Sequence, residues 1–207
     1  MKIIGVPASV SSDALHLIDA DGAKRATGLI ELERMFGPAI ICAVDRPGVI
    51  LPIWPSYAEE LFHGSLQPDF LEHREAAIKP EKAYIGGSYG SIPDGGLAFF
   101  YESSAQKGRM AVTAVARITG RYLLPPDQAA TISADRGVLP NARIRSDTGR
   151  RLKTVVDIDT VMLFNEPIAK ERLSELGCWD GANMVTAKVI TPAQAIALLK
   201  EGEPRLV

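Results

Sequence analysis

Apolar positions in this chain come as short, bounded runs and not as long helical stripes. The densest is Leu97-Ala98-Phe99-Phe100-Tyr101, entered through Pro93-Asp94-Gly95-Gly96 and left through the polar segment Glu102 to Arg109. Pro, Asp and Gly interrupt helices and supply turns, and a short aromatic run suits a buried strand. A second run, Met110 to Ile118, sets Val112, Val115 and Ile118 among small residues. The polar segment between them contains Gly108, so a hairpin of two antiparallel strands is predicted. An aromatic-edged pair of this kind predicts a small β-barrel.

Around the hairpin the pattern alternates. Lys2 to Val6 reads as a strand, and Ser11-Ser12-Asp13 as the cap of a short helix with Leu15, Leu17 and Ile18. Thr27 caps a helix ended by Gly37-Pro38. Ala39 to Val44 reads as a buried strand, turned by Asp45 to Gly48 onto a partner, Val49 to Ile53. Ser56 opens a helix with Tyr57, Leu61 and Phe62 that stops near His63-Gly64, and Ser65 to Pro80 is irregular. Lys82 to Ile85 is strand-like, Pro125 to Ala134 helical, and residues 135–153 basic and loop-rich. Thr154 to Phe164 forms two strands or one bent strand, and Ala169 to Leu176 a helix ended by Gly177. Met184 to Ile190 is a strand, and Thr191-Pro192 starts a last helix to Lys200, with Pro where its missing N–H costs nothing. The predicted organisation is an N-terminal α/β extension, residues 1–48, packed on a domain over 49–207. Ile40, Ile41 and Val44 are too apolar to stay solvated.

Composition narrows the partners. At 207 residues with 46% hydrophobic and 23% charged, the chain reads as an ordinary globular protein. A net charge of −2 opposes a surface that grips nucleic acid everywhere, but not a local basic patch. No run approaches a membrane span, Met1 to Ile4 leads into no signal-peptide core, and Cys42 and Cys178 read as reduced, buried residues. A cytoplasmic protein without membrane contact is expected.

The clearest candidate chemistry is cationic. Arg136, Arg143, Arg145, Arg150, Arg151 and Lys153 follow one another against Asp147, with Arg117 and Arg121 upstream. Guanidinium forks match phosphate oxygens. Arg117, Arg121, Arg143, Arg145, Arg150 and Arg151 are therefore the candidate nucleic-acid contacts, with a solvated surface loop as the competing reading. Trp54, Tyr57, Tyr84, Tyr89, Phe100, Tyr101 and Trp179 contain the candidates for base stacking. The Gly86 to Ser91 loop has the composition of a phosphate-binding turn or of a plain flexible one. His16, His63 and His73 stand without partners at ligand spacing, so no metal or cofactor is expected. Gly-x-Ser-x-Gly is absent, and no catalytic residue is assigned. Asp157 and Asp159 share a strand face, where solvent exposure is the expectation.

Residues 49–200 resemble the PUA-like superfamily, in particular its ASCH and EVE branches. The resemblance rests on Ile53-Trp54-Pro55-Ser56-Tyr57 through Gly64, on Gly95-Gly96-Leu97 through Ser103, and on the return strand Lys107 to Ile118. The tail, Leu163-Phe164, Ile168 to Gly177 and Val185 to Ala195, is similar to PUA-like domains attached to some acetyltransferases. The resemblance implies an α+β fold, a PUA-like mixed β-barrel flanked by short helices. It also implies a ligand cleft between the first helix and the strands. Tyr57, Glu72, Arg74, Lys79, Lys82 and Tyr84 are the residues it places there. The Lys–Thr element that follows the helix in ASCH domains is missing after Gly64. The function implied is a module binding nucleic acid or a modified nucleotide. Two alternatives stay open. One is a small amidohydrolase acting on a modified nucleoside, with Glu72 as base and Lys79 or Lys82 in support. The other is a protein-interaction module, partner of a toxin or acetyltransferase or its own homodimer partner.

Overall fold

The structure is a computed structural model that describes residues 16–18, 24–26, 28–43, 45–62, 79–87, 91–146, 151–181 and 184–206. Two short strands, β1 (His16–Ile18) and β2 (Lys24–Ala26), pair antiparallel, and α1 (Leu29–Met35) follows. The main sheet takes β3 (Gly48–Ile53), β4 (Lys82–Gly86), β5 (Leu97–Glu102), β6 (Ala111–Leu124), β7 (Lys153–Ala169) and β8 (Lys188–Ile190). Around it lie α2 (Pro55–Phe62), α3 (Pro126–Arg136), α4 (Asn141–Ser146), α5 (Lys170–Glu175) and α6 (Pro192–Gly202), with a last short strand β9 (Arg205–Leu206). Among the described residues, no helix is long and apolar enough to cross a membrane.

The strand order is β4-β7-β6-β5-β3-β8, with β9 added to β7. The predicted hairpin is present: β5 and β6 run antiparallel, with Phe99 opposite Val115. Gly95 takes φ +68°, the left-handed conformation that the Pro-Asp-Gly-Gly turn requires. β3 runs parallel to β5, Ile50 beside Phe99, which explains why both sequences are apolar on both faces. Period two then divides the core. Val49, Leu51, Ile53, Ala98 and Phe100 pack on one face with Ala58, Leu61 and Phe62 of α2. Ile50, Leu97, Phe99 and Tyr101 pack on the other with α5 and α6. Each fully buried side chain of this size contributes about 1.5–3 kcal/mol. Ala83, Ile85 and Val155 form a third cluster with Ala129, Ala130 and Ile144 of α3 and α4.

Several expectations are corrected. The sheet is mixed and the class is α+β, but the hydrogen-bonded path is open. Among the described residues β4 and β8 end it, in place of a closed barrel. Ser103 N–H donates to the Ile53 carbonyl on the β5 side. The neighbouring Pro52 therefore faces the opposite way, and having no N–H it cannot donate to a ladder there. Its carbonyl instead accepts the Tyr84 hydroxyl at 2.7 Å. Leu17 and Ile18 lie in a strand and not a helix; three residues fit either period. Residues 39–43 form no strand and do not pair with β3. The Glu33 carboxylate accepts the Ile41 N–H at 2.6 Å, and Arg46 donates to the Ile41 carbonyl at 2.9 Å, replacing a ladder. The basic segment holds a helix, α4, and β7 is one bent strand in which Thr160 takes φ +51°. β8 is shorter than expected, beginning at Lys188.

Candidate functional site

Beyond Ile50, where β8 no longer pairs with β3, the unclosed seam between the end of β3 and β4 is a cleft of about 410 Å³. Pro52, Ile53 and Trp54 form one wall as the chain leaves β3, with Tyr57 and Leu61 of α2. Ala83 to Gly87 form the facing wall, so both faces of the edge strand contribute. Val138, Leu139, Arg143 and Lys153 complete it. Among the described residues β4 is an edge strand, and its Tyr84 hydroxyl crosses the seam to the Pro52 carbonyl.

Local folding sets the aromatic wall. Pro55 opens α2, and the Ala58 N–H donates to the Trp54 carbonyl at 2.9 Å. Ala58, Leu61 and Phe62 are buried, which fixes the helix and turns Tyr57 toward the cleft. Trp54 and Tyr57 lie nearly parallel, 7° apart with centroids at 5.7 Å. On the opposite side α4 begins after Pro140, whose carbonyl accepts the N–H groups of Arg143 and Ile144 at 2.9 and 3.1 Å. Ile144 is fully buried and anchors this turn. Arg143 is thereby held with its guanidinium carbon 3.7 Å from the Trp54 ring centroid, donating to the Tyr57 hydroxyl at 3.0 Å. A guanidinium over an indole gains cation–π stabilisation while keeping donors for an anion.

The charge of the lining is one-sided. Among the described residues the lining contains Arg143 and the buried Lys153 and no carboxylate. Two residues before Tyr84 on β4, Lys82 is 6% exposed, and burial lowers its pKa to about 8. An anionic, flat, hydrogen-bonding ligand suits this combination.

Of the residues expected at the site, the structure brings Tyr57, Tyr84 and Arg143 together at the cleft. Lys82 is buried on the edge strand beside it. Lys79 lies apart, donating to Asp135 at 2.5 Å. Arg145 pairs with Asp127 at 3.1 Å on the surface, Arg151 is exposed before β7, and Arg121 is half-buried on β6 opposite Val156. Glu72, Arg74 and Arg150 lie outside the described residues.

Arg117 is placed differently from the surface contact expected of it. It is 3% exposed and donates twice to Asp159, both at 2.6 Å, and to the Glu33 carboxylate at 3.3 Å. Burial opposes its charge, but Asp159 and Glu33 outweigh burial and raise its pKa. Asp157 and Asp159 are likewise buried and not solvated, with Arg136 donating to Asp157 at 3.0 Å. Among the described residues, no group of three or more His, Cys, Asp and Glu is arranged to hold a metal ion.

Sequence reasoning missed Lys153 as a site residue, the apolar walls Leu61, Val138 and Leu139, and the junction of Arg143 with Trp54. Lys153 carried a signal: it opens a run of β residues, at a strand end where a long cation reaches past the sheet. The Arg143–Trp54 contact spans 89 positions, and no local pattern encodes it.

Comparison with known proteins agrees with the architecture. No protein-family model matches the sequence, and no curated protein matches it. Among solved structures, the ASCH protein of Zymomonas mobilis is similar over 75% of this chain and 96% of its own, with TM-score 0.56 and 11% identity. The fold is that of an ASCH protein. A variant of the Zymomonas ASCH protein with a tyrosine replaced by phenylalanine gives TM-score 0.55 at 10% identity, over 75% of this chain and 98% of that one. Human THYN1, solved with DNA containing 5-methylcytosine, is more distant at TM-score 0.43 and 12% identity, over 76% and 98% of the two chains.

Proposed function

We propose that the seam cleft of this ASCH-type fold binds a nucleotide, as a residue of an unpaired nucleic-acid strand. The observation that carries the reading is the Arg143 guanidinium fixed 3.7 Å over Trp54, in a lining whose described charged residues are two cations. Arg143 and Lys153 supply phosphate contacts, and the Trp54–Tyr57 wall supplies a stacking face worth about 1–3 kcal/mol per base. The Tyr84 hydroxyl, which donates to the Pro52 carbonyl, accepts from the base edge. A base can enter the seam only after leaving its stack, so the substrate strand is single or locally opened. Arg151 lies two residues from Lys153 and extends the cationic rim.

In this reading the sheet is a barrel opened at one seam for the ligand, and residues 1–48 are an N-terminal extension that packs on it. The test is titration with the four 5′-mononucleotides and with short single-stranded oligonucleotides, followed by tryptophan fluorescence. Saturable binding at low salt is expected, weakened about tenfold in Arg143→Ala, the size of one lost charge-assisted contact. Absence of saturable binding overturns the proposal.

A further inference from the structure

We propose that a strand held in the seam cleft places a neighbouring base in a second pocket, on the far side of Trp54. The inference rests on the nucleotide reading of the seam. Pro52 and Trp54 line both pockets, so a ridge one side chain wide separates them. The second pocket measures about 560 Å³. Its wall is the pair Tyr101 and Trp179, with ring centroids 5.1 Å apart. Tyr101 is 4% exposed and Trp179 half-buried, so the wall is held by the core. Successive unstacked bases bind to aromatic faces set side by side along a strand's path. The Trp54–Tyr57 pair, with Trp54 on the ridge itself, and Trp179 beyond it provide two such faces.

The polar groups fit a base better than a phosphate. The Glu171 carboxylate stands at the mouth, 4.0 Å from Lys170. Burial, and then Glu171, raise the pKa of the Tyr101 hydroxyl, which places that carboxylate's field inside the pocket. Lys170 and Glu171 both line this pocket and offset each other, so no net positive charge draws a second phosphate, while the carboxylate accepts from an exocyclic amine. The backbone phosphate between the two bases therefore crosses the ridge near Arg143, and the second pocket takes only the base.

The test compares three ligands on the intact chain: the mononucleotide that binds the seam best, its homodinucleotide, and the same dinucleotide with the second base removed. The dinucleotide is expected to bind about tenfold tighter than its abasic counterpart, within the range of one base–aromatic stack. Trp179→Ala should abolish that ratio and leave mononucleotide affinity unchanged, which also shows that the variant folds. Val185→Glu, at a rim position 73% exposed, should do the same by charge without touching the core. A ratio near one in the unmodified protein, or a ratio that survives both substitutions, overturns this inference while the seam site stands. If the mononucleotide does not bind either, the seam reading falls and this one falls with it.

Discussion

Lys82 shows how a single buried cation reports on its surroundings. Burial lowers its pKa from 10.5 to about 8. The unfolded chain therefore holds this proton more tightly, and between those two values stability rises with pH. Below that window both states are charged, and the cost of the buried charge stands in full. The stability of the unmodified protein relative to Lys82→Met should therefore improve between about pH 7 and about pH 10. Urea denaturation at both values measures it, and a constant difference would mean that Lys82 is solvated. Arg117 teaches a related lesson. Charge density along the sequence marked it for a phosphate, but a strand position facing Glu33 and Asp159 gave it to the core instead. Sequence shows that an arginine is charged, and only the pairing of β6 with β7 shows what that charge meets.

The link between α1 and the sheet is electrostatic as much as apolar. The Glu33 carboxylate, fully buried, joins Arg46, Arg117 and the Ile41 N–H, so one side chain ties the helix, the following segment and β6. Removing one member of a buried charge network leaves its partners unpaired, at about 3–5 kcal/mol. Glu33→Ala should lose stability on that order in chemical denaturation. A loss below about 1 kcal/mol would show α1 to be a loose appendage.

The strands and helices of the second half were largely legible because turns and caps are local. Gly95 needed a left-handed turn, and Thr191 and Gln194 form the capping box that starts α6. The segment before β3 was not legible. Its Ile40 and Ile41 have a strand's composition, but Glu33 and Arg46 satisfy the backbone there. Tyr57 and Tyr84 were placed at the cleft by resemblance. Arg143 was singled out by charge alone, and its partner Trp54 lies beyond any periodic pattern.

The molecule as a whole is organised by where its sheet fails to close. Pro52 removes one donor from the seam, Tyr84 bridges it by a side chain, and the gap becomes the cleft. Tyr84→Phe deletes the bridge to the Pro52 carbonyl and should cost about 1 kcal/mol of stability. It should also alter discrimination among bases more than overall affinity, because a group facing the base edge reads the base and not the backbone. Competition among the four mononucleotides measures that change, and identical relative affinities would remove Tyr84 from recognition.

The central claim is that Arg143 on its aromatic seat holds a phosphate. An ionic-strength series of single-stranded oligonucleotide binding, run on the unmodified protein and on Arg143→Ala, tests it most directly. Log affinity should fall linearly with log salt, and the substitution should flatten that slope by about 0.7, one single-strand phosphate contact. Equal slopes for the two proteins, or no oligonucleotide affinity at low salt, would contradict the account.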